Sequence, residues 1–166
     1  MKNNGMKIFT LIFFIIITSQ ICFSRTRIVV LPFQNMDGRL ELNLISYQLS
    51  DSLNLKLLED EELSGKVEIV PLDSVEMVMA DLNLDPTNPQ YPSDMWKAIA
   101  LLNVSKVVTG NFNVQAERFL INAYIYDVAT KLPDPEYQVR DIFKKREKIF
   151  DSIGIISRKI REGLIK

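Results

Sequence analysis

The sequence predicts an α/β protein, a mixed β-sheet of four to five strands with helices packed on it, behind an N-terminal signal helix. Three observations carry this reading. Arg27 to Phe33 (RIVVLPF) is a short continuous apolar run containing Pro32 near its end, the pattern of a strand buried on both faces. Leu42, Ile45, Leu49, Leu53 and Leu57 recur in steps of three or four, which sets them on one helical stripe. Val104 to Gln115 and Arg118 to Val128 are β-rich runs parted only by Ala116 and Glu117, a spacing that suits a tight hairpin.

The chain begins with Lys2 and Lys7, the apolar stretch Ile8 to Ile17, and the small-polar stretch Thr18 to Ser24, the order of a secretory signal. A membrane span needs about 20 apolar residues, and this run is roughly half that. Cleavage is expected between Ser24 and Arg25, leaving residues 25–166 as a single domain. The alternative makes Cys22 the lipid-bearing first residue of a lipoprotein, against which stands the bulky Ile21 before it. Membrane attachment is expected only if Cys22 is lipidated.

Within the domain the first strand leads through Asn35, Asp37 and Gly38 into the amphipathic helix. That helix should end near Leu58, because Glu59, Asp60, Glu61 and Glu62 would place four negative charges at the negative end of its dipole. Lys66 to Leu72 reads as a second strand, followed by a short helix capped by Asp73 or Ser74 with Val75, Val78, Met79 and Leu82 inward. Asn83 to Pro92 is a proline-rich loop, and Ser93 caps a helix that turns Met95, Ile99 and Leu102 inward. Trp96 lies on its flank, a position that favours a core role.

On the second hairpin strand Phe119, Ile121, Ala123 and Ile125 share one face and Leu120, Tyr124 and Tyr126 the other, so this strand should be internal. Asp127 to Lys131 turns the chain, and a weaker strand is expected at Tyr137 to Phe143. Ile149, Ile153, Ile156, Ile160 and Leu164 mark a last helix that docks by its isoleucine face.

Charge is unevenly spread. Gln34 to Leu102 carries 13 acidic against four basic residues, whereas Arg140 to Lys166 carries nine basic against four acidic. Oppositely charged solvated faces, with the last helix beside an acidic one, account for this. A basic helix that meets anionic lipid, an acidic partner or a second copy is the sharper reading.

The chain has no histidine, and its one cysteine lies in the signal. That excludes Ser-His-Asp and Cys-His nucleophiles, zinc held by His or Cys, and a structural disulfide in the domain. Its glycines form neither GxGxxG nor GxxxxGK[ST], and the bases lack interleaved aromatics, so neither nucleotide nor nucleic-acid binding is expected. An enzyme here would need two facing carboxylates, with Asp51, Asp73, Asp127 and Asp141 as conceivable members. Asp127 has a plain structural alternative, bonding the turn backbone at Ala129 or Thr130. Glu59 to Glu62 lacks the alternation and central Gly of a calcium loop and reads as a solvated turn. No catalytic residue, cofactor or metal is expected.

RIVVLPFQN (Arg27 to Asn35), the amphipathic helix, ALLNVSKVVTGNF (Ala100 to Phe112) and LINAYIYDVATKL (Leu120 to Leu132) together resemble the amino-terminal domain of TolB and related CsgG- and LpoB-type envelope proteins. The matching positions are Leu31, Pro32 and Phe33, then Val104, Val107 and Gly110, then Asp127, Ala129 and Thr130. Asn103 and Lys131 stand where that family usually has Gly; Asn tolerates a left-handed helix end, and Lys131 suggests a different turn.

The resemblance implies a non-enzymatic envelope domain that docks on other proteins. With the chain ending at Lys166, a stand-alone domain without TolB's β-propeller is expected. The leading expectation is a periplasmic or outer-envelope binding and assembly module that offers Asn88 and Tyr91 of the loop and Glu117 of the hairpin to an envelope protein. One alternative is a ring-forming subunit of a CsgG-like secretion or assembly complex, self-associating through the C-terminal helix. The other is a carboxylate-based hydrolase of envelope glycans.

Overall fold

A computed structural model describes residues 25–166. The signal, Ser24 of its cleavage site and Cys22 lie outside the described residues. The strands are β1 (Thr26–Val30), β2 (Gln34–Asn35), β3 (Val67–Ile69), β4 (Lys106–Gln115), β5 (Arg118–Asp127) and β6 (Val139–Lys145). The helices are α1 (Asn43–Leu58), α2 (Leu72–Asp81), α3 (Tyr91–Leu102) and α4 (Asp151–Ile165). Short 3-10 turns at Leu40–Leu42 and Arg146–Lys148 lead into α1 and toward α4.

The sheet order is β3-β1-β4-β5-β6, with β2 also pairing β4. β1 runs parallel to β3 and β4, whereas β4-β5 and β5-β6 are antiparallel, so the sheet is mixed as the sequence predicts. Its two faces bury separate cores. One holds Ile28, Val30 and Phe33 with the apolar faces of α1 and α4; the other holds Val29 and Leu31 with those of α2 and α3. The predicted two-faced burial of the first strand follows from this three-layer arrangement.

The predicted stripe of α1 is entirely buried, and the helix ends at Leu58 as expected. Several boundaries differ. β2 adds a sixth strand, since two residues of ladder leave no periodic signature. β3 is shorter than Lys66 to Leu72, because Pro71 already stands at the N-cap of α2, where neither Asp73 nor Ser74 provides a side-chain cap. β6 lies two residues later than predicted. α3 starts at Tyr91 with Pro92 in its first turn, ahead of the predicted Ser93, because the fixed φ of proline suits that position.

The turn between β4 and β5 is tight and strained. Ala116 and Glu117 both take positive φ, 46° and 63°, without the glycine or asparagine that such turns favour. Glu117→Gly is therefore expected to stabilise the domain by about 0.5–1 kcal/mol, measured by urea denaturation.

Candidate functional site: an open sheet face and its borders

Facing residues of β4, β5 and β6 present one side of the sheet that α1 and α4 do not touch. The pairs are Thr109 with Tyr124, Asn111 with Asn122, Asn113 with Leu120, and Leu120 with Phe143. The second core stops at Tyr126, so beyond it Leu120, Asn122 and Tyr124 remain half-buried and Phe143 is 49% exposed. A sheet needs cover on each apolar face, and here the cover from α2 and α3 ends part-way.

A polar row crosses this face. The Asn122 amide donates to Asn111 Oδ1 at 2.8 Å, and its Oδ1 accepts from the Asp141 N–H at 2.8 Å. Asp141 sits at φ 60° where Arg140 and Asp141 together oppose Asn122, a bulge that bends the exposed edge strand β6. Aromatic rings border the row: Tyr124 packs on Tyr126 (6.2 Å between centroids), and Trp96 meets Tyr126 edge-on (6.0 Å). Arg140 lies over Tyr124 and Lys131 over Trp96, at 5.9 and 5.5 Å from the ring centroids. Trp96 thus combines the expected core role with a place at the border.

The loop after α2 runs along the β2 side, held by the Asn35 N–H donating to Pro86 O at 3.1 Å. Asn88 is exposed there, its Oδ1 accepting from the Gln90 N–H. The Ala116–Glu117 hairpin forms the far end, and Glu117 is exposed. Tyr91 does not join them. It is 2% exposed and its hydroxyl donates to Pro32 O at 2.9 Å, so its expected place on a contact loop is corrected to the core. Burial pushes its phenol far above the usual range. An aromatic at the start of a helix can point either way, and only the position of the Pro32 carbonyl decides it.

The four carboxylates considered for hydrolysis lie on separate elements. Asp51 is on α1 near Glu76, and its carboxyl is raised by burial first and by that neighbouring charge, against hydrogen bonding from Ser50. Asp73 is in the first turn of α2. Asp127 pairs in register with Lys106, and Asp141 stands beside Asn122, which puts them about 16 Å apart along β5.

Asp127 takes the structural role the sequence allows. Its Oδ1 accepts from the Thr130 N–H (2.8 Å) and hydroxyl (3.0 Å). The Thr130 N–H is the first cause that lowers its carboxyl, followed by that hydroxyl, with Ala129 N–H and Lys106 adding and desolvation opposing. Since the folded pKa is depressed, this stabilisation is present above the ordinary carboxylate value and is lost as pH falls through the folded one. Asp127→Asn is expected to flatten the acid limb of the stability–pH profile, followed by thermal melting between pH 2 and 6. Lys131 keeps a left-handed φ of 58° and Asn103 one of 50°. The different turn expected at Lys131 gives way to the backbone conformation that glycine favours.

The acidic turn after α1 meets the last helix as expected. Arg161 Nε lies 2.7 Å from Asp60 Oδ2, and its NH1 lies 2.7 Å from Glu62 Oε1. Among the described residues no group of three or more His, Cys, Asp or Glu is placed to hold a metal ion. The basic helix itself needs correcting. α4 begins at Asp151, so Arg140, Lys144, Lys145, Arg146 and Lys148 precede it on β6 and the 3-10 turn.

No family model and no curated protein matches the chain. Solved structures do. Escherichia coli LpoB superposes with a TM-score of 0.53 at 14% identity, over 74% of this chain and 59% of LpoB. The lipoprotein GNA1162 of Neisseria meningitidis gives 0.50 at 12% identity, over 84% of this chain and 96% of its own. The fold is of the LpoB type. TolB of Acinetobacter baumannii matches at 20% identity over 85% of this chain and 28% of TolB, with a TM-score of 0.47. In this chain Pro32 offers the carbonyl that Tyr91 and Thr109 share, and Gly110 leaves room for Phe33.

Proposed function

We propose that the chain is a non-enzymatic, exported docking module that binds an envelope protein through the open β4–β6 face. The Asn83–Gln90 loop and the Ala116–Glu117 hairpin form its borders. The observation that carries this reading is the half-covered sheet, where Tyr124 lies at the edge of the helical cover beside Pro92 and Met95 of α3, and Leu120 and Phe143 stand beyond it. An uncovered, partly apolar sheet face rimmed by amides and cations has the character of a protein-binding surface. The signal-like leader supplies the location, and the likeness in fold to LpoB and to a lipoprotein agrees with it.

Photo-crosslinking in cells tests this. A crosslinker in place of Phe143 or Asn88 should give a discrete protein adduct, and one in place of Lys159 on the exposed side of α4 should not. Adducts of equal yield from all three sites, or none from Phe143, would contradict it.

A further inference from the structure

Five elements converge at the hairpin end of the sheet: the 3-10 turn before α1, the β4–β5 hairpin, the end of β6, the turn after it, and the start of α4. Register fixes this convergence. β4 runs parallel to β1 and ends at Gln115, opposite Arg118, which in turn pairs with Lys145. Apolar side chains protrude there that the docking face does not use. Leu40 is 75% exposed, Leu44 65% and Phe150 44%.

The elements that meet at this end also carry Arg118, Lys145, Arg146 and Lys148, all exposed. None forms an ion pair among the described residues, whereas Arg39 is closed on Glu41 at 2.6 Å. Glu117, Glu147 and Asp151 share this end and leave the four cations one positive charge in excess. A cavity of about 710 Å³ opens between the hairpin and the two 3-10 turns, with Leu42 and Phe119 in its lining and Arg118, Lys145 and Arg146 beside them.

We propose that this end of the domain seats on an anionic lipid surface, with Leu40, Leu44 and Phe150 entering the interface and the cations meeting headgroup phosphates. Exposed apolar side chains and unpaired lysine and arginine at one end of the domain match the two components of interfacial binding, apolar insertion and attraction to a negative surface. The charge complements an anionic bilayer, and the cleft has room for a phosphate-bearing headgroup. This end adjoins the open β4–β6 face, since Arg118 and Lys145 lie beyond Leu120 and Phe143 along β5 and β6 and the hairpin borders both; vesicle binding and the protein crosslink at Phe143 read the two surfaces by different measurements.

The test is co-sedimentation of the purified exported chain, carrying Cys22→Ser so that no acyl group contributes. The vesicles are phosphatidylethanolamine with 30% phosphatidylglycerol, against phosphatidylcholine alone. Binding is expected to the anionic vesicles only and to weaken with salt. Lys145→Glu with Arg146→Glu should weaken it about tenfold or more, and Leu40→Ser with Phe150→Ser should weaken it as well. Arg158→Glu with Lys159→Glu on α4 should leave it near wild type. All these positions are exposed, and unchanged melting temperatures would confirm intact folding. Equal binding to both vesicle types, no binding, or equal loss in the α4 control would overturn the proposal. So would a crosslinker at Phe150 that yields a protein adduct in cells instead of lipid.

Discussion

Gly110→Ala is expected to destabilise the domain by about 3 kcal/mol or more, enough to remove much of the margin of an ordinary domain. Gly110 sits mid-strand in β4, paired with Ala123 of β5. A Cβ there would press on the Asn122 backbone oxygen and into the Phe33 ring, whose Cδ1 would lie only 2.6 Å away. Phe33 is fully buried beside Phe112, so its ring has nowhere to swing, and the Asn122 carbonyl belongs to β5. Relief therefore requires the β4–β5 ladder to separate. Urea denaturation reads the loss; a Gly110→Ala chain within about 1 kcal/mol of wild type would show that Phe33 does not pack over this glycine.

Tyr91→Ala should cost about 3–5 kcal/mol, and Tyr91→Phe only about 1 kcal/mol. The large change removes a buried ring from the core between α3 and the sheet. The small change removes one hydrogen bond, while the Thr109 hydroxyl still donates to Pro32 O at 3.2 Å. The ratio separates packing from hydrogen bonding at the same site. If Tyr91→Ala were nearly neutral, the residue would belong to a surface loop.

What the sequence discloses follows from how local each signal is. Apolar periodicity marks β1, the α1 stripe and the isoleucine face of α4, because side chains spaced 2.0 or 3.6 residues apart must share a face. The Asp127 turn is legible because its bonds span only three residues. β2 escapes notice because its two residues owe their ladder to β4, far along the chain. The open face is invisible for a similar reason: β5 reads as internal, as it is, but which faces the helices cover is decided by topology. Leu120 and Ile121 are both apolar, yet only Ile121 is fully buried. The bases preceding α4 are contiguous in sequence with its helical apolar spacing from Ile149 onward, and only the pairing of β6 with β5 assigns Arg140, Lys144 and Lys145 to a strand.

The claim that the β4–β6 face is the docking surface is tested most directly by one paired crosslinking measurement. A photo-crosslinker at Phe143 is compared in otherwise wild-type chain and in chain carrying Leu120→Glu, its neighbour across β5 and β6. Leu120 is only half-buried, so the substitution should leave the melting temperature within a few degrees. A discrete protein adduct is expected in the first case and its loss in the second. An adduct of the same yield in both chains, with folding intact, would contradict it.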